Sequence, residues 1–166
     1  MGGVMRAERA MHALDDGPRL LCELSPDELM QLLADFGYPV CAEHFVVTGE
    51  LPTALLGEDM GVRLGRWSAG PNGYRDFSFC AAVPMLGMVP PERTALWNRS
   101  RRFSRLYEVE DCLVLEMDVT LAGGVSPGYV LQAVERWERT AHELLAFLMA
   151  CLNSAGEPAD RGSRVS

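Results

Sequence analysis

Residues 112–121 constrain this chain most, because their apolar side chains alternate by twos. Leu113, Leu115, Met117, Val119 and Leu121 fall on one side, and Val114, Glu116, Asp118 and Thr120 on the other. Successive side chains of a strand point to opposite faces, so this is a strand with one face in a core and one in water. The next thirty residues supply its cover. Gly123-Gly124 ends the run, and Ser126-Pro127 provides a cap and a first helical residue. Val130, Val134, Trp137, Ala141, Leu144, Leu148 and Leu152 then step by threes and fours. A half-apolar strand and a long helix with one apolar stripe bury those surfaces against each other.

The remaining elements are read the same way. Ser25, Pro26 and Glu28 form a capping box ahead of Leu29, Leu32, Leu33 and Phe36, and Gly37 supplies a stop. That is one amphipathic helix. Between 38 and 84 the period changes to short β-rich runs at 40–47, 62–67 and 74–83, separated by Gly, Pro and Asn. In the third run Phe77 and Phe79 share one face, Ser78 and Cys80 the other. A second helix begins near Pro90-Pro91-Glu92 and runs to about Phe103. A short strand at 105–108 and a turn at Glu110-Asp111 lead back to the alternating strand. The predicted order is α-β-β-β-α-β-β-α, an α+β fold with a five-stranded antiparallel sheet and helices on one face.

Residues 20–152 form the folded domain in this reading. Residues 1–19 are an N-terminal extension, helical or frayed, and 153–166 are too polar and breaker-rich to order themselves. Apolar residues at 48% and charged residues at 23% are enough for one core. The net charge of −8 repels phosphate backbones and anionic lipid, so neither nucleic acid nor membrane is the expected partner. No apolar run approaches the roughly twenty residues of a membrane span, and no signal-peptide h-region follows the N-terminal arginines. The cysteines Cys22, Cys41, Cys80, Cys112 and Cys151 are odd in number and irregularly spaced. They read as small apolar residues of a reducing compartment, which places the chain in the cytoplasm.

The search for chemistry yields little. His12, His44 and His142 form no ligand-spaced pair, and folding that gathered Cys41, His44 and Cys80 would more simply pack them. There is no GxSxG, no GxGxxG and no phosphate loop, and Gly57 to Gly61 lacks the alternating oxygens of a calcium loop. Glu116 and Asp118 lie about 7 Å apart on one strand face. That spacing suits acid–base work or a cation, but a solvated sheet face explains it more plainly. Arg99, Arg101, Arg102 and Arg105 make a basic spot in an acidic chain, with Arg99 and Arg102 neighbours if both are helical. Catalytic, metal and cofactor-binding residues are therefore expected to be absent. The candidate partner-binding residues are Arg99, Arg102 and Trp97.

A likeness then emerges. Trp97-Asn98, Arg102-Phe103-Ser104-Arg105, Tyr107, Leu113-Val114-Leu115-Glu116-Met117-Asp118, Gly123-Gly124-Val125-Ser126 and Trp137 together resemble the YbjN domain family. Upstream, Leu32-Leu33-Ala34-Asp35-Phe36-Gly37-Tyr38 is similar to that family's opening helix ending in Gly-Tyr. The resemblance covers most of 25–152 and implies a type III secretion chaperone-like fold. It also implies a homodimer and a non-enzymatic role, its members being labelled bacterial sensory-transduction regulators or chaperone-like proteins. The expectation is a cytoplasmic protein-interaction or chaperone-like regulatory domain. The alternative is a small-molecule sensor or enzyme using a pocket between sheet and helices.

Overall fold

The computed structural model describes residues 20–38, 40, 41, 46, 47, 60–65, 73–85 and 87–155. Among these are three helices and six strands. They are α1 (Pro26–Asp35), β1 (Val40–Cys41), β2 (Val46–Val47), β3 (Met60–Leu64), β4 (Asp76–Pro84), α2 (Pro91–Ser100), β5 (Arg105–Val109), β6 (Cys112–Thr120) and α3 (Pro127–Ala155).

The main sheet has four strands in the order β3-β4-β6-β5, every pair antiparallel. The run at 40–47, expected as one strand of five, is instead two short strands paired with each other, Val40 to Val47 and Cys41 to Val46. The expected run at 62–67 begins earlier, at Met60, and Arg66 and Trp67 lie outside the described residues. The extension at 1–19 lies outside them too, as do 156–166 of the tail expected at 153–166; its first three residues instead continue the last helix, which runs to Ala155.

Local chemistry sets the element ends. Ser25 Oγ accepts from the Glu28 N–H at 3.2 Å, while Glu28 Oε2 accepts from the Ser25 N–H at 2.8 Å. At the far end of α1, Gly37 takes φ +84°, where an L side chain would be strained. Its N–H donates to Ala34 and that of Tyr38 to Leu33, which satisfies two carbonyls the helix leaves open. The chain just before α1 is tied to the sheet's end by paired backbone bonds, Leu21 with Val125 and Leu24 with Tyr74.

One sheet face carries the core. Phe77, Phe79, Ala81 and Val83 of β4 and Leu113, Leu115, Met117 and Val119 of β6 are all buried. The same core takes in the α3 stripe from Val130 to Leu148, together with Leu29 and Leu33 of α1 and its C-cap Phe36. Phe79 stacks on Trp137 with centroids 5.7 Å apart, and Phe77 meets Phe79 edge-on at 5.4 Å.

Two expectations about the edges need correction. The second helix stops at Ser100, short of Phe103, because Arg101 turns extended and Phe103 adopts φ +68°. The helix is held instead by Asn98, whose side-chain amide donates to the Leu106 carbonyl at 2.7 Å and accepts from the Leu106 N–H at 2.8 Å. The stripe of α3 ends at buried Cys151, and Leu152 turns outward. Geometry accounts for that. A 29-residue helix is about 43 Å long, whereas the nine residues of β6 span about 30 Å.

Candidate functional site

The outer face of the sheet was expected to be wet. It holds a packed ionic cluster instead. Register puts Cys80 opposite Glu116 and Glu116 opposite Arg105, with Arg63 opposite Ser78 and Ser78 opposite Asp118. Because β6 is an interior strand, long side chains from both sides lean over Glu116 and leave it 5% exposed. Val114 on the same face is also buried.

A carboxylate withdrawn from water must be paired and hydrogen-bonded. Glu116 accepts from Arg63 Nη1 at 3.3 Å, Arg105 Nη2 at 2.9 Å, Arg105 Nε at 3.1 Å and the Tyr107 hydroxyl at 2.6 Å. Arg105 also donates through Nη1 to Asp118 at 2.6 Å, and Ser78 Oγ donates to the same carboxylate at 2.6 Å. Two guanidiniums face two carboxylates, and the cluster is neutral.

The titration behaviour follows from this packing. Partial burial alone would raise the Asp118 pKa, but the Ser78 and Arg105 hydrogen bonds and the Arg105 charge outweigh it and hold the carboxyl below its usual value. Burial, aided by the hydrogen bond to Glu116, pushes the Tyr107 phenol up. Burial is also the main cause that pushes the Cys80 thiol up to about 11, despite the Arg63 charge beside it. Thiolate is the reactive form, so this cysteine is quiet at neutral pH. The oxygens of Glu116 are already taken by four donors. The cluster neutralises itself rather than presenting a reactive group.

The residues expected to bind a partner do not act together. Trp97 is 1% exposed, packed edge-on against Phe147 at 5.2 Å, with the Arg101 guanidinium 3.7 Å over its ring. It anchors α2 and presents no surface. Arg101 also donates to Glu143 at 2.9 Å, and Arg105 belongs to the ionic cluster. Arg99 and Arg102 are exposed, but Arg102 lies beyond the helix end, so the two are not helical neighbours. Cys22, read as an apolar residue, is exposed. Among the described residues no group of three or more His, Cys, Asp or Glu side chains is placed to hold a metal, and His44 falls outside them. No described helix is long and apolar enough to cross a membrane.

A different surface stands out. Where α3 overruns the sheet, Val83, Met85 and Leu148 form the floor of a hollow of about 180 Å³. Met88, Met149 and Leu152 stand around it, 52%, 43% and 37% exposed. The Met85 N–H donates to the Asp111 carbonyl at 3.2 Å, so one wall runs directly into the acidic β5–β6 turn. The sequence pattern did not reveal this surface. A stripe running longer than the strand it covers was the available signal.

Fold and surface together define an α+β domain with a self-neutralised outer sheet face and, among the described residues, three helices and an apolar end that no other element covers. The chain belongs to the YbjN family, whose model, described as "Putative bacterial sensory transduction regulator", matches residues 25–148. The crystal structure of YbjN from E. coli, described as a "putative transcription regulator", superposes with a TM-score of 0.57 at 16% identity. The match covers 82% of this chain and 95% of that one. At such identity the likeness establishes the fold. No curated protein matches the chain.

Proposed function

We propose that this chain is a non-enzymatic regulatory domain of the cytoplasm that works by holding a protein partner. The observation that carries the reading is the apolar hollow between β4 and the overrunning end of α3, which no described element covers. Covering apolar surface releases about 25 cal/mol per Å², and methionine adapts its shape to varied partners. Exposed Met88 and Met149 are therefore suited to a contact that is made and broken. The ionic cluster fits the same reading, because its ionisable groups are held by one another. The expected homodimer would form through the exposed Leu96 face of α2, since Trp97 is unavailable.

The test is capture from native lysate with the full chain and its Met149→Glu variant. A specific protein held near stoichiometry by the first and lost by the second supports the reading. Equal recovery by both, or none under several growth conditions, overturns it. Sedimentation at micromolar concentration, with Leu96→Glu as the control, checks the dimer.

A further inference from the structure

The hollow differs from a metabolite site in size and in the charge around it. Ligand pockets for small molecules run to about 300–1,000 Å³, whereas this one is about 180 Å³. It has room for the anchoring side chains of a larger object. Within 83–93 and 108–111, the stretches beside it, the charged residues are Glu92, Glu108, Glu110 and Asp111, all exposed, against one base, Arg93. Asp111 is fixed beside the hollow by its backbone bond to Met85. The C-terminal end of α3 adds to this field, because a helix C-terminus carries partial negative charge. The last turn of α3 contains no basic residue.

Resting on the partner-holding reading above, we propose that the hollow receives an amphipathic helix of a partner protein, its apolar side chains seated among Met88, Met149 and Leu152 and its Lys or Arg side chains facing the acidic β5–β6 turn. Apolar anchors at helical spacing supply the contact, and the opposite charges supply orientation and choice of partner. An acidic helix of identical apolar pattern is rejected by like charge.

The experiment uses the full chain with ¹³C-labelled methionine methyl groups. Two synthetic probes, a Leu/Lys amphipathic helix and its Leu/Glu counterpart with the same leucine positions, are titrated at low ionic strength. The expected result is that the Met85, Met88 and Met149 signals move with the Leu/Lys helix while that of core residue Met117 stays still. Affinity for the Leu/Glu helix falls at least tenfold. Reversing Glu110 and Asp111 together to Lys weakens Leu/Lys binding, by about fivefold for each charge at the upper end of what exposed pairs contribute. Met149→Glu abolishes the shifts at Met85 and Met88, with Met117 reporting an intact fold.

Equal binding of both probes overturns the charge assignment, and binding of neither, or shifts elsewhere, overturns the site. Methionine shifts that track protein concentration without probe assign the hollow to a second copy. A through-space contact from Met149 to Met5 or Met11 assigns it to the chain's own first residues. Either result also overturns the proposal. If the probes fail while a lysate protein is still lost on Met149→Glu, only the partner chemistry falls. If both fail, the partner-holding reading falls with it.

Discussion

The outer sheet face and the end of α3 handle exposed surface in opposite ways. On the sheet, polar side chains have gathered over a carboxylate until it is buried and its oxygens are engaged. At the helix end, apolar side chains remain in water beside a space that none of them fills. The first region is complete without help from another molecule, and its loss should be felt in stability. The second is incomplete alone, and its loss should be felt in binding.

The sharpest way to break that contrast is Glu116→Ala. It removes the acceptor for two guanidiniums and a phenol, and should cost about 2–3 kcal/mol in chemical denaturation, discounted because both arginines are partly exposed. A loss below about 0.5 kcal/mol would show the cluster to be ornamental. Alkali should probe the same face through Cys80. Its folded pKa of about 11 lies above the ordinary 9.0, so its contribution is complete below pH 9 and disappears between 9 and 11. At pH 8 the thiol carries about a hundredfold less thiolate than an ordinary cysteine. A disulfide reagent should therefore label exposed Cys22 well before Cys80 in the native chain. Comparable rates would mean that the cluster is open to solvent.

Acid gives a smaller effect of opposite sign. The Asp118 carboxyl is held below its ordinary value of 3.8, so its contribution is complete above about pH 4 and fades as pH falls through the lower folded value. Asp118→Asn should flatten that part of the acid denaturation curve. The smallest effect belongs to the helix end. Met149→Ser should change stability by less than about 0.5 kcal/mol in the same denaturation assay, because the side chain is already half in water. A large loss would make the hollow part of the core.

The sequence made some of this legible and hid the rest, for a physical reason. The box at Ser25 and Glu28, the inward-facing set from Leu113 to Val119 and the stripe from Val130 to Leu148 are local patterns, and each occurs as expected. Alternation says which way Glu116 points. It does not say what lies above it. The covering groups come from Arg63, Arg105 and Tyr107, and Arg63 stands 53 residues away, so only strand register brings them together. The β-rich run at 40–47 marked residues able to be extended without showing that they fold back on one another. Arg99 and Arg102 looked adjacent only while the helix was assumed to continue. The left-handed backbone at Phe103, which ends that assumption, has no glycine or asparagine to announce it.

The clasp of Asn98 on Leu106 has a consequence for crowding. An outermost β-ribbon offers its free amides and carbonyls to any passing extended chain, and fibrils grow by such stacking. On β5 an asparagine already occupies both backbone groups of Leu106, with a helix standing behind it. A second molecule arriving edge-first would have to prise that amide away before zippering could start. Asn98→Ala should therefore matter most at high concentration, where it leaves this border open to self-assembly.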